Sequence, residues 1–147
     1  MLKGINPLLS PDLLKLLCEM GHGDEIVLAD ANFTAESLGR GKTVLRLPGV
    51  GMRDACSALL SVFPLDDLVA QPVAYMQVGG TAPGYRSELQ REVIADMGPG
   101  GIEQCEPLER FAFYERVTRA FAIVQTGELQ TWSNFVFKKG VITGELR

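Results

Sequence analysis

The sequence predicts a single-domain α/β sandwich, with a largely parallel central sheet flanked by helices. Three observations carry this. Strand-like apolar runs alternate with helix-period patterns along the whole chain. The first of those runs, EIVLA (Glu25 to Ala29), has an apolar centre with no polar alternation, the pattern of a strand covered on both faces. The 147 residues are 46% hydrophobic and 22% charged, which suits one ordinary globular domain able to build its core without covalent staples.

Each element has its own signal. Ser10-Pro11-Asp12 starts a helix: the serine caps free amides, proline suits the first helical position, and the aspartate favours the positive end of the dipole. Leu13, Leu16, Leu17 and Met20 then recur on one helical face, and Gly21 supplies the stop. EIVLA is the first strand, with Asp30 at its C-terminal end. A short helix begins near Thr34, and TVLRL (Thr43 to Leu47) is the second strand. PGVG turns the chain into a helix whose inner face carries Met52, Ala55, Cys56, Leu59, Leu60 and Phe63. VAYMQV (Val73 to Val78) is the third strand, Tyr85 to Met97 a helix with charges outside, and GPGG (Gly98 to Gly101) a loop. A helix over Arg110 to Arg119 presents Phe113, Tyr114 and Val117 on one side. FAIVQTGE (Phe121 to Glu128) and SNFVFKKG (Ser133 to Gly140) close the chain as two strands.

Charge and cysteine usage narrow the function classes. A net charge of −4 argues against non-specific binding to nucleic acid or an anionic membrane, and suits a neutral or cationic small ligand. Cys18, Cys56 and Cys105 are odd in number and widely spaced, with no C-x-x-C, so neither a disulfide framework nor a zinc site is indicated. The two on predicted helix faces, Cys18 and Cys56, read as buried small hydrophobes, and a cytoplasmic setting is expected. Pro7, Pro11 and Asp12 interrupt the N-terminus before a secretory core can form, and no run approaches the ~18 apolar residues of a membrane span.

His22 is the only histidine, held between Gly21 and Gly23 in a helix-to-strand loop. A loop imidazole satisfied by water is its ordinary fate. The alternative is a general acid/base, because an imidazole titrates near pH ~6.5 and both gives and takes a proton at neutrality. The glycines give backbone and ligand close approach, which favours the second reading. Asp30 either caps the short helix or binds ligand. Asn32 and Thr34 compete for the cap, and ligands of open α/β sheets bind beyond the carboxyl ends of strands. A carboxylate there accepts two sugar hydroxyl hydrogens. Arg110 sits at a helix start, where the dipole disfavours a cation, and its guanidinium can fork onto hydroxyls. Trp132 is the only tryptophan; a structural role is the usual one, and the alternative is a ligand-facing indole that covers the apolar side of a pyranose, while Asn134 offers a donor and an acceptor together. GVGMRD (Gly49 to Asp54) lacks the third glycine of a dinucleotide loop and reads as a turn before a helix. GPGG is not followed by Lys-Ser/Thr, so it is not a phosphate loop.

The stretches SPDLLKLLCEMGHGDEIVLADANF (Ser10 to Phe33), RFAFYERVTRAFAIVQTGE (Arg110 to Glu128) and SNFVFKKGV (Ser133 to Val141) together resemble the RbsD/FucU family of sugar mutarotases over nearly the whole chain. The resemblance implies interconversion of the α and β anomers of a free monosaccharide, without metal or organic cofactor. It places the catalytic histidine at His22 and substrate binding at Asp30, Arg110, Trp132, Ser133 and Asn134. Arg110 matches the fucose branch, where the ribose branch carries histidine, so L-fucose is the expected substrate. A homo-oligomer, a decameric ring with sites near subunit contacts, is also implied. One departure stands out: close relatives often read Tyr-Gly-Asn where this chain has Trp132-Ser133-Asn134, so any duty of the phenol is not carried over. A pentose mutarotase of the D-ribose pyranase type and a non-catalytic sugar-binding accessory of transport remain the alternatives. A nucleotide-binding module is the weakest, since both glycine loops lack their partner residues.

Overall fold

The computed structural model describes residues 1–146. In chain order these form α1 (Pro11–Glu19), β1 (Glu25–Ala29), α2 (Ala35–Leu38), β2 (Thr43–Leu47), α3 (Met52–Leu60), β3 (Val73–Met76), α4 (Glu88–Asp96), β4 (Cys105–Leu108), α5 (Arg110–Thr118), β5 (Ala122–Thr126) and β6 (Phe135–Lys138). The strands make one sheet in the order β2-β5-β1-β6-β3-β4. The pairs β2/β5, β5/β1 and β3/β4 are parallel, whereas β6 runs antiparallel to both β1 and β3. The expected α/β sandwich is present, with a mixed sheet: the last strand is reversed and joins two parallel units.

Alternation along the central strands decides which helix covers which face. Ile26, Leu28, Val73, Tyr75, Val124, Phe135 and Phe137 point to a core shared with α1, α3 and α4. Val27, Ala29, Ala74, Met76, Ile123 and Val136 point the other way, onto α2 and α5 through Ala35, Phe113 and Val117. Both faces of β1 are covered, as its unbroken apolar centre demands.

Two lysines fasten helix ends to the sheet. Lys139 Nζ donates to the carbonyls of Leu17 and Met20 at the end of α1, both at 2.6 Å. Lys42 Nζ donates to Val117, Thr118 and Ala120 at the end of α5. Each places a cation where the helix dipole is negative and carbonyls lack partners. Arg116 of α5 chelates Glu25 and reaches Glu106 of β4 at 2.9 Å, tying the helix across three elements.

Some boundaries differ from the sequence expectation. β1 and β2 occupy the expected residues; β3, β5 and β6 are shorter. α4 starts at Glu88 rather than Tyr85, because Ser87 and Gln90 form a reciprocal capping box. β4 has no counterpart in the sequence reading. It is four residues long and contains Pro107, which is tolerated because β4 is an edge strand. Cys56 is buried as expected, but Cys18 is exposed, on the outer side of α1. Burial pushes the Cys105 thiol up to about 12.

Candidate functional site

The reversal of β6 creates the centre of the site. Because β6 runs against β1, it begins where β1 ends, and Asn134 arrives beside Asp30. The two make a reciprocal pair. The Asp30 amide donates to Asn134 Oδ1 at 2.8 Å, and Asn134 Nδ2 donates to Asp30 Oδ2 at 3.1 Å. Asp30 Oδ1 accepts the Asn32 amide at 3.0 Å, shaping the turn that leads to α2. Thr34 makes no side-chain cap. Burial pushes the Asp30 carboxyl above its ordinary range, and the amides and Asn134 only partly offset this.

Around this pair lies a cavity of about 260 Å³, lined also by Phe33, Met76, Arg110, Tyr114, Thr131 and Trp132. Arg110 is the first residue of α5. Glu109 caps that helix by accepting the Phe111 and Ala112 amides, so a carboxylate stands beside the misplaced cation. Arg110 Nε donates to Tyr114 Oη at 3.0 Å, and its guanidinium lies over the Phe111 and Tyr114 rings. The i, i+4 spacing of Arg110 and Tyr114 contained this partnership. Trp132 is the one non-glycine residue with positive φ among the described residues, at 65°. Such a conformation costs on the order of 1 kcal/mol and persists where the surroundings hold it. Two neighbours do so here. Gln90, fully buried, donates Nε2 to the Trp132 carbonyl at 3.1 Å and to Met76 at 2.8 Å. Gly79 leaves room for the indole, since a Cβ there would lie 2.7 Å from Cη2. Ser133 is fully buried, its hydroxyl without a partner, and it does not line the cavity.

Of the residues picked from sequence, the fold therefore gathers Asp30, Arg110, Trp132 and Asn134 around one cavity, with Ser133 behind it. His22 is not among the lining residues. It precedes β1 whereas Asp30 follows it, and five strand residues rise on the order of 17 Å. Of its flanking glycines, only Gly23 takes a left-handed conformation, at φ +87°. His22 Nε2 lies 3.2 Å from Asp66 Oδ1, with the two side chains 42% and 5% exposed. Sequence reasoning missed Asp66, Gln90, Tyr114 and Met76. No group of three or more His, Cys, Asp or Glu side chains among the described residues is placed to hold a metal ion. Among the described residues, no helix is long and apolar enough to cross a membrane. What the cavity offers is a hydroxyl-binding set: a carboxylate, an amide, a guanidinium and an indole face.

Known proteins resemble this chain in sequence and in fold. The model of the RbsD / FucU transport protein family matches residues 3–142. An L-fucose mutarotase of Glaesserella parasuis is 45% identical over 143 residues, covering 96% of each chain. FucU from Bifidobacterium longum superposes with a TM-score of 0.87 at 39% identity, covering 96% of this chain and 100% of that one. The fucose mutarotase of Streptococcus pneumoniae, solved in complex with L-fucose, gives a TM-score of 0.84 at 39% identity, covering 97% of this chain and 100% of that one.

Proposed function

This chain belongs to the RbsD/FucU family, and on that premise we infer that it is an L-fucose mutarotase, an isomerase interconverting the α and β anomers of the free sugar. The observation that carries the reading is the Asp30–Asn134 pair set in a small cavity with Arg110 and Trp132. About 260 Å³ lies just below the usual ~300–1,000 Å³ of ligand pockets and suits a single sugar ring. Asp30 accepts hydroxyl hydrogens, Arg110 donates to ring or hydroxyl oxygens, and the indole covers the apolar face.

Mutarotation needs one proton taken from the anomeric hydroxyl and one given to the ring oxygen. We assign both transfers to His22. An imidazole is the one type of group in the predicted set that serves as both proton acceptor and proton donor in general acid–base catalysis. Since β1 separates it from the cavity of its own chain, the working site pairs the cavity of one copy with His22 of a second. Contacts between unlike surfaces generate rings where the rotation closes, and a decamer is the ring we propose. Leu68 and Val69, exposed beside Asp66, and Phe111, exposed beside Arg110, are apolar surface available to such contacts. Three free cysteines suit the cytoplasmic setting proposed for it.

Saturation-transfer NMR on L-fucose tests the activity and the shared site together. Wild type accelerates anomer exchange, and His22→Ala and Asp30→Asn each abolish it. A one-to-one mixture of the two variants, unfolded and reassembled together, regains about a quarter of the activity, because random pairing restores that share of sites. No acceleration by wild type would refute the mutarotase reading; no recovery in the mixture would refute the shared site.

A further inference from the structure

We infer that Arg86 and Arg91 form a second binding site, for a phosphate monoester with a small apolar body, and that its occupancy is felt at the sugar cavity through the first turn of α4. The binding is independent of the mutarotase reading above; only its effect on sugar kinetics rests on that reading.

The site is a cavity of about 330 Å³ beside α4, larger than the sugar cavity. Arg86, Arg91, Ile94, Ala95 and Ile102 line it, together with the glycine turn that follows the helix. In that turn Gly98 and Gly100 take left-handed backbone, at φ +86° and +81°. No heavy atom lies within 4 Å of where a Cβ would stand at either, so this border is bare backbone open to a ligand.

Both cations lack a partner. Arg46, Arg53, Arg110, Arg116 and Arg119 each hold a side-chain hydrogen bond or an ion pair. Among the described residues Arg86 and Arg91 hold neither, although they line the same cavity. Two carboxylates of α4 are already taken: Glu92 and Asp96 turn to Arg53 of α3, at 3.4 and 2.7 Å. The helix does not compensate. Arg86 precedes the Ser87 cap and Arg91 ends the first turn, where the dipole is positive and disfavours a cation. Nor is Arg86 a freely solvated charge. It is half-buried and near Cys105: burial pushes that thiol up, and the Arg86 charge works against the shift.

Charge and shape together select the ligand. A phosphate monoester carries about −1.5 to −2 at neutral pH and offers three acceptor oxygens, so it neutralises two guanidiniums and gives each a pair to fork onto. A carboxylate carries one charge and fills one fork. Ile94, Ala95 and Ile102, the last 46% exposed, supply apolar surface for a small body beside the phosphate.

The link to the sugar cavity is short. Between the two arginines lies the turn Ser87 to Gln90. Ser87 Oγ accepts the Gln90 amide at 3.2 Å, Gln90 Oε1 accepts the Ser87 amide at 3.0 Å, and the Arg91 amide donates to the Ser87 carbonyl. The same Gln90 holds the carbonyl of the left-handed Trp132 through Nε2. An anion that bridges Arg86 and Arg91 spans this turn and orders it. Less is then left to order when sugar binds, so each ligand tightens the other.

Calorimetry on the intact assembled protein tests the site, with phenyl phosphate as the probe at fixed ionic strength. Wild type binds it saturably, one per chain. The double variant Arg86→Met with Arg91→Met weakens binding tenfold or more. So does Ala95→Glu, an exposed position where the new carboxylate stands one turn after Arg91 and occupies its charge. Benzoate, with the same ring and a single charge, binds wild type tenfold or more weaker. The sole tryptophan reports the coupling: saturation with phenyl phosphate shifts Trp132 emission and lowers the KM for L-fucose about fivefold in wild type, and does neither in the variants, whose KM without the probe is unchanged. Three results would overturn the site: no saturable heat, as when an acidic face of another copy already covers the arginines; equal affinity in wild type and both variants; or benzoate as tight as phenyl phosphate. Binding that leaves emission and KM unmoved would overturn the coupling. A failed mutarotase reading shows itself separately, as wild type that binds phenyl phosphate and does not accelerate anomer exchange.

Discussion

Replacing Gln90 by Met removes one side chain that serves both the fold and the cavity. Gln90 is fully buried and holds three backbone groups: Oε1 accepts the Ser87 amide, while Nε2 donates to the carbonyls of Met76 and Trp132. Methionine has a similar volume and shape, so packing changes little. The loss is polar. Two carbonyls lose their donor, each at ~1–3 kcal/mol when no water replaces it, and the cap of α4 loses its return bond, for about 3 kcal/mol in all. With a urea m-value of ~1–3 kcal/mol/M, the unfolding midpoint falls by roughly 1–3 M. The assay is urea unfolding at one protomer concentration, because assembly couples to stability. The freed Trp132 carbonyl also lets the strained residue relax, so the emission of the sole tryptophan changes in the folded state. A loss below about 1 kcal/mol with unchanged emission would refute the view that Gln90 holds Trp132 in place.

Two further outcomes follow from the same cavity. Gly79→Ala places a methyl group 2.7 Å from the indole, so the ring is displaced and the KM for fucose rises about fivefold, the worth of about 1 kcal/mol of aromatic contact; initial-rate anomer exchange reads it, and an unchanged KM would put Trp132 outside the ligand's reach. Asp30 has its native carboxyl raised by burial, so its contribution to stability is fully present below its unfolded-state titration and is lost as pH rises through the native one. The stability of wild type relative to Asp30→Asn should therefore decline from pH 3 to pH 7, and a gap constant across that range in denaturant titrations would contradict the assignment.

What the sequence disclosed follows what its local signals can encode. β1 and β2 were legible because an apolar run between turn residues has one stable fate, and α1 because Ser10 and Pro11 make a cap that needs no tertiary partner. β4 was not, because Cys-Glu-Pro-Leu has no period and gains its pairing only from β3. The direction of β6 was equally hidden: periodicity tells a strand from a helix, not which way it is laid in a sheet. At the site, Asp30, Arg110, Trp132 and Asn134 were chosen for their chemistry and end up around one cavity. Asp66 had no such signal, lying among irregular residues 44 positions from His22. Gln90 looked like one more polar residue on a charged helix, whereas the capping box turns it inward.

The placement of β5 and β6 has a bearing on how the chain is made. Four of the five strand pairings use one of these two strands; β3 with β4 is the only pairing that does not. A chain emerging from the ribosome at ~5–20 residues per second therefore exposes β1 and β2 with no neighbour in the sheet until its last stretch appears. Loop closures this long make folding slow, on the millisecond-to-second scale of sheet-rich topologies. Asn134 arrives with β6, so the sheet and the Asp30 pair are completed by one late event. Translation that stops short of β6 leaves neither a finished sheet nor the Asp30–Asn134 pair at the centre of the cavity.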